Sequence, residues 1–391
     1  MKYKLVLLLL LINSLIFGQI TFNQGSINLI EYYEVIPYQT EIGKIILPVT
    51  IKDKTYRFLL DTGAPNLFSP ELLKELNVAE GDSINVNDAN NQDQKMKFVV
   101  VPQLKIGNLI FKNQAGLIYN FEEHNLLSCY KIDGFIGSNL LRNSIIKINS
   151  TNKTIIITNK IKSLNIDKKP VKMKLVGNQK SPYVELKFVG KNKEKASDMV
   201  LVDTGMDGLY DMSKRAYSIF EKSKIFEALY SATGIGDSGL FGAGNSNEQK
   251  LLEIENANLN QQVINNIMVT TTTDDNSRIG LDFLKYGDIT LDFLNKKFYF
   301  ESTKTIDLKE KAPKFNASIQ NNKVVVGLVW DERLKTLMYT GDEFISVDQI
   351  DITNISLCDF LKLKKEWKNK DKYILKIKNQ EGQISEINIE N

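Results

Sequence analysis

Asp-Thr-Gly occurs twice in this chain, at Asp61-Thr62-Gly63 and at Asp203-Thr204-Gly205. Each triplet follows an apolar run, Phe58-Leu59-Leu60 in one case and Met199-Val200-Leu201-Val202 in the other. Such runs read as buried strands, and a carboxylate at the end of one is costly unless it is paired, hydrogen-bonded or put to use. Two of them, one in each half of the chain, predict two lobes meeting at one carboxylate pair. Two carboxylates that close together do not both ionise easily and share one proton.

The surroundings of the triplets repeat as well. Downstream of the first comes Gly134-Phe135-Ile136-Gly137-Ser138-Asn139-Leu140-Leu141, then the strand-like Ser144-Ile145-Ile146-Lys147-Ile148-Asn149. Downstream of the second comes Ser277-Arg278-Ile279-Gly280-Leu281-Asp282-Phe283-Leu284, then Asp288-Ile289-Thr290-Leu291-Asp292-Phe293. Asp61 and Gly137 are 76 positions apart, Asp203 and Gly280 77. Matched spacing with matched flanks is an internal repeat.

At these residues, and across residues 42–301, the chain resembles the aspartic peptidases, in particular the retropepsin-like group. Phe135-Ile136-Gly137-Ser138-Asn139-Leu140-Leu141 is similar to the retroviral form of the family's later glycine element. The resemblance implies a mostly β, bilobal fold of pepsin/retropepsin-like β-barrel lobes, with Asp61 and Asp203 catalytic. It implies that Thr62 and Thr204 hydrogen-bond across a pseudo-twofold axis, and that Gly63 and Gly205 let the backbone approach the carboxylates closely. No metal, cofactor or acyl-enzyme is required. Substrate contacts are expected from Ala64 and Met206, from Asp88, Ala89 and Asn90, and from Gly234, Ile235 and Gly236. Ala64 fits the retropepsin pattern, whereas Met206 stands where pepsin-like relatives carry Ser or Thr. The flap position, residues 84–101, contains no tyrosine.

Several elements position these residues. Residues 44–51 and 55–60 around Lys52-Asp53-Lys54 read as a hairpin. Ser69 can cap a helix over Pro70-Glu71-Leu72-Leu73-Lys74-Glu75-Leu76, with Pro70 in the first turn and Glu71 near the positive end. Residues 84–101 read as two strands around Asp88-Ala89-Asn90-Asn91-Gln92-Asp93-Gln94. The second half repeats the plan with strands over 183–189 and 198–202 and a helix over 213–222 capped by Ser213. Gly234-Ile235-Gly236-Asp237-Ser238-Gly239, with Gly242 and Gly244, lacks the Gly-Lys-Ser/Thr of a phosphate loop and fits a hairpin over the cleft. Beyond about residue 303 the repeat stops. There Val324-Val325-Val326-Gly327-Leu328-Val329 and Tyr339-Thr340-Gly341-Asp342-Glu343-Phe344-Ile345-Ser346-Val347 resemble the Gly-Asp-x-Ile core of a PDZ domain, with Phe344 in the Ile place and residues 384–389 as a last strand. A Gly-Leu-Gly-Phe carboxylate-binding loop is absent, so a plain packing appendage is the other reading.

Met1-Lys2-Tyr3-Lys4, the apolar run 5–12 and Asn13-Ser14-Leu15-Ile16-Phe17-Gly18 read as a secretory signal peptide. The run is too short for a membrane span, which takes about 20 residues. No cysteine follows a cleavage point near Gly18 or Gln19, so a lipoprotein anchor is not indicated. Losing Lys2 and Lys4 takes the formal charge from +3 to +1, which provides no electrostatic pull towards nucleic acid. The basic stretch 362–378, interleaved with Glu366 and Asp371, reads as the solvated face of a small domain. One histidine, His124, rules out His-rich zinc sites and two-His metalloprotease motifs. No nucleophile motif surrounds it or Cys129, so it reads as a loop histidine. Cys129 and Cys358, far apart in sequence, read as separate thiols of different domains.

The expected organisation is a signal peptide at 1–18, an N-terminal segment at 19–40 serving as covering strand or pro-segment, lobes at 41–160 and 161–302, and a PDZ-like α+β domain at 303–391. The expected protein is a periplasmic or secreted aspartic endopeptidase. It is a monomer, because both aspartates lie in one chain. It acts on peptide or protein substrates without metal or nucleic acid, and its PDZ-like domain offers a place for a peptide partner. The alternative is a non-catalytic peptide-binding protein of the cell envelope that uses the same scaffold.

Overall fold

A computed structural model describes residues 20–123, 126–236, 238–302, 304–308, 311–367 and 370–390. Residues 1–19, which include the stretch read as a signal peptide, lie outside these residues, as do His124 and Asp237. The chain is mostly β.

In the first lobe, Lys44–Ile51 and Lys54–Asp61 form an antiparallel hairpin with Thr50 opposite Thr55. Lys52 and Asp53 at its turn both take positive φ, 47° and 62°, the backbone that a tight two-residue hairpin needs. The strand Gly134–Gly137 returns from far along the chain and lies parallel to Lys54–Asp61, placing Gly137 opposite Asp61. The second lobe repeats this geometry. Ser181–Val189 and Lys195–Val202 form the hairpin, and Arg278–Ile279 lies parallel with Arg278 opposite Leu201 and Ile279 opposite Val202. Both expected helices are present. Ser69 Oγ accepts from Leu72 N–H at the start of Pro70–Leu76, and Ser213 Oγ accepts from Ala216 N–H at the start of Lys214–Phe220.

The lobes share a sheet. Ile145–Asn149 of the first pairs antiparallel with Asp288–Asp292 of the second, Ile146 facing Leu291. Thr154–Thr158 and Lys297–Glu301 flank that central pair. Tyr33–Pro37 adds a strand beyond Thr154–Thr158, and Val171–Val176 adds one beyond Lys297–Glu301 that carries the sheet on into Ser181–Val189. Lys147 reaches across to Glu301 at 2.6 Å. A single apolar core runs through both lobes and includes Ile146, Ile148, Leu291 and Phe298. At about 25 cal/mol per Å² of buried apolar surface, this continuity fixes the lobes relative to each other far more firmly than the ion pair does.

After the second lobe, Ile306–Asp307 still pairs with the long strand Gln262–Thr272, and Ile306 and Leu308 join the main core. A separate six-stranded sheet follows, built from Phe315–Gln320, Lys323–Val329, Glu343–Val347, Ile350–Asp351, Lys372–Lys378 and Ile384–Glu390. The helix Leu357–Trp367 covers it through Phe360 and Trp367, which pack with Phe344, Leu375 and Ile377. This unit does not hang free. Leu328 and Trp330 pack on Ala232 and Leu251 of the second lobe. Ile235 N–H donates to Gly327 O at 3.2 Å, and Lys335 Nζ donates to Ser231 O at 2.8 Å.

Contrary to the sequence reading, Cys129 and Cys358 are bonded to each other, 229 positions apart. The C-terminal unit folds back over both lobes, and this carries the start of its helix to the turn Leu127–Tyr130 of the first lobe. Sequence distance says nothing about such a return path. Replacing both cysteines by Ser should cost about 2–4 kcal/mol of stability. A thermal scan checks this. A reductant should lower the melting temperature of the native chain to that of the double variant and leave the double variant unmoved.

Candidate active site

Asp61 ends its strand and Asp203 directly follows its own. The chain then turns so that backbone N–H groups face each carboxylate. Asp61 Oδ1 accepts from Gly63 N–H at 2.9 Å and Ala64 N–H at 3.0 Å, and Asp203 Oδ1 accepts from Gly205 N–H at 2.8 Å. The two loops grip each other through their threonines. Thr62 Oγ donates to Val202 O at 2.5 Å and accepts from Thr204 N–H at 3.1 Å. Thr204 Oγ donates to Leu60 O at 2.9 Å and accepts from Thr62 N–H at 3.0 Å. Thr62 is fully buried and Thr204 nearly so, so each hydroxyl satisfies a donor and an acceptor that would otherwise go unpaired, at about 1–3 kcal/mol each.

Each glycine of the pair abuts the opposite lobe's carboxylate. A Cβ on Gly63 would lie 2.6 Å from Asp203 Cγ, and one on Gly205 would collide with the Asp61 carboxylate. Only glycine allows this approach, and it brings both carboxylates to the lobe junction, near enough for Asp203 to act on Asp61. Two carboxylates so placed do not both ionise easily, the behaviour known for aspartic-protease dyads. Burial above all, and then the Asp203 carboxylate, push Asp61 up to about 7, against the pull of Arg278, the Gly63 N–H and Lys44.

Two cations surround the pair. Lys44 reaches from the first lobe to donate to Gly205 O at 2.5 Å and pairs with Asp207 at 2.9 Å. Arg278 Nη1 lies 2.6 Å from Asp203 Oδ2, and its Nη2 pairs with the buried Asp274. Asp274 Oδ1 in turn accepts from the Asn276 N–H at 2.8 Å, and Asn276 Oδ1 accepts from the Tyr183 hydroxyl at 2.8 Å.

Two hairpins meet near this junction. One, Glu80–Asn87 with Asp93–Ile106, carries Asp88, Ala89 and Asn90 at its tip. The other is the Gly-rich segment, folded as a small hairpin of Ser238–Gly239 with Gly242–Ala243. Phe241 N–H donates to Asp88 Oδ2 at 3.0 Å, Asn90 Nδ2 to Gly242 O at 3.2 Å and Gln92 Nε2 to Ala243 O at 2.8 Å. Tyr119 donates its hydroxyl to Leu240 O. Leu240 and Phe241 pack on an apolar cluster of the first lobe containing Phe121, Tyr130 and Phe135, against which Ala64 also packs.

The structure thus places the sequence-predicted residues in three groups. Asp61, Thr62, Gly63, Ala64, Asp203, Thr204 and Gly205 come together at the lobe junction. Met206 is adjacent, its carbonyl accepting from Leu281 N–H at 3.1 Å. Asp88, Ala89 and Asn90 lie at the tip of the flap hairpin. Gly234 and Ile235 lie against Gly327 of the C-terminal sheet, and Gly236 lies beside Gln249. Sequence reasoning missed Arg278, Lys44, Asp274 and Tyr119. Arg278 carried a signal: in the repeat it occupies the place of Phe135, a charge exchanged for an apolar residue one strand away from the aspartate.

Residues 47–140 match the family model described as "Aspartyl protease". No curated protein matches the chain. Among solved structures, similarity is found to an aspartic proteinase from Irpex lacteus, with 12% identity and a TM-score of 0.43, covering 70% of this chain and 98% of that one. It is also found to a retropepsin-like aspartic protease from Rickettsia conorii, with 15% identity and a TM-score of 0.25, covering 34% of this chain and 95% of that one.

Proposed function

We propose that this chain is an exported, single-chain aspartic endopeptidase that hydrolyses peptide bonds by a water activated between two aspartates. The observation that carries this reading is the reciprocal hold of two Asp-Thr-Gly loops, with each carboxylate packed on the other loop's glycine. Between one ionised and one protonated carboxyl, a water can lose a proton to the first while its oxygen attacks the peptide carbonyl carbon. The second gives its proton to the carbonyl oxygen. The resulting gem-diol collapses with loss of the C–N bond, the amine takes the proton held by the first carboxyl, and the second recovers its own. The dyad ends as it began. Residues 1–18, read as a signal peptide, motivate export to the periplasm or beyond. The PDZ-like sequence pattern motivates a docking role for the C-terminal unit.

The test is incubation of the mature protein with a peptide library in ¹⁸O-water, with products read by mass spectrometry. The expected result is internal cleavage with one ¹⁸O in each new carboxyl group and inhibition by hydroxyl-bearing mimics of the tetrahedral intermediate. Binding of peptides without any cleavage would replace this reading with a non-catalytic peptide-binding module.

Activity should follow a bell-shaped pH profile with its optimum on the mildly acid side. Asp61, pushed up to about 7, sets the alkaline limb, because above that pH the proton donor is lost. The same group affects stability. Its pKa in the folded chain lies above the ordinary 3.8, so its ionisation opposes folding. That penalty is absent below about pH 4 and grows as pH rises towards 7. Denaturation series at several pH values should therefore show Asp61→Asn gaining stability relative to the native chain between those limits. A constant difference across the range would contradict the assignment.

A further inference from the structure

The two halves of the site are related by the repeat, yet they are not equal. Leu59 and Leu201 occupy matching places, and so do the residues opposite them, Phe135 and Arg278. Phe135 packs into the apolar cluster with its ring 5.3 Å from Phe121, and Asp61 forms no ion pair among the described residues. In the second lobe the matching side chain carries a guanidinium and turns it onto Asp203 at 2.6 Å. Asp203 is 3% exposed and Asp274 4%, so the pairing happens out of water, where an opposite charge has its largest effect.

We propose that Arg278 is a positioning residue that assigns the dyad's single negative charge to Asp203 and its proton to Asp61, making Asp203 the base and Asp61 the acid. The inference rests on the peptidase reading only for the words base and acid. The charge assignment itself follows from the contact.

The remaining charged and titratable groups around the pair do not offer the same discrimination. Lys44 approaches from the first lobe, but its ammonium is engaged by Gly205 O and Asp207. Asp274 faces the other end of the guanidinium and orients it. Tyr183 is held by Asn276, and Arg215 on the second-lobe helix donates to Asp275 O at 3.3 Å. Arg278 alone among them forms a charge-assisted bond with a member of the dyad. Asp274 and Asn276 act behind it, fixing the fork that points at Asp203.

The test uses the full mature chain with ¹³C-labelled aspartate, titrated by NMR, with Asp61→Asn and Asp203→Asn used to assign the two carboxyl resonances. In Arg278→Met the acid-side step of the pair should move up by one pH unit or more, the usual effect of losing an adjacent opposite charge. In Arg278→Lys it should stay within about half a unit. Arg278→Met leaves Asp274 buried without its cation, so Arg278→Met with Asp274→Asn serves if the single variant does not fold. The acid limb of kcat/KM against pH should move with the NMR step. An unmoved step in the Met variants overturns the proposal. So does a fall in kcat with unmoved limbs, which would make Arg278 a structural tie for the Asp274 turn. A step that moves in a protein that cleaves nothing upholds the charge assignment and refutes the peptidase reading, so the two fail separately.

Discussion

Asp61→Asn and Asp203→Asn should each lower kcat/KM on a cleavable peptide by roughly 10³–10⁴-fold. The double variant should be hardly worse than either single one, because the two carboxyls act as one unit. The variants should differ in stability, however. Asp203→Asn takes a charged partner from a guanidinium that lies largely out of water, leaving it Asp274 alone. Breaking a buried pair costs about 3–5 kcal/mol, and the remaining Asp274 should reduce this to the lower end. Asp61→Asn removes a carboxyl whose ionisation the site opposes, so it should be neutral or stabilising at pH 7. Steady-state kinetics with denaturant titrations at pH 7 read both effects. A single variant with near-native turnover would remove that aspartate from the chemistry.

Gly63→Ala and Gly205→Ala should be the next most severe after the dyad variants. The added methyl reaches not its own aspartate but the one across the lobe junction. Displacing a reacting carboxyl by about 1 Å costs on the order of 10²-fold in rate, and overpacking such a site costs about 1–3 kcal/mol. The effects should cross over, with Gly205→Ala displacing the Asp61 carboxyl and disturbing its titration, and Gly63→Ala displacing the Asp203 carboxyl from the Arg278 guanidinium. Kinetics with the labelled-aspartate titration separates the two. Gly205→Ala with full activity would mean that the carboxylates do not pack against the opposite loops.

The strand end that carries each aspartate could be read from sequence because it is local to one copy of the repeat. The spacing of Asp61 to Gly137 and of Asp203 to Gly280 encodes a strand register within each lobe, whereas the hold of Thr62 and Thr204 on each other between the lobes was expected from the family resemblance. The caps Ser69 and Ser213 were legible for the same reason, since a cap acts within one turn. The rest depends on surfaces that meet only in the folded chain. Nothing near Cys129 points to Cys358, and nothing in the Gly-rich segment says that Gly234 and Ile235 adjoin Gly327 while Leu240 and Phe241 pack on the first lobe. Arg278 lies between these cases: its strand position was legible, but its direction depends on Asp274 and Asp203 being close enough to hold both ends of its fork.

The Cys129–Cys358 bond also has a topological meaning. It closes a covalent ring that contains Asp203 and the whole second lobe, while Asp61 sits on the strand of chain leading into it. A nick between residues 130 and 202 opens the ring and parts Asp61 from Asp203 in the chain without releasing a fragment. Under denaturing conditions such a molecule would run as one species until its sulfurs were reduced, and then as two pieces, one carrying Asp61 and the other Asp203. A two-chain form could thus keep both halves of its dyad without depending on non-covalent association to hold them together.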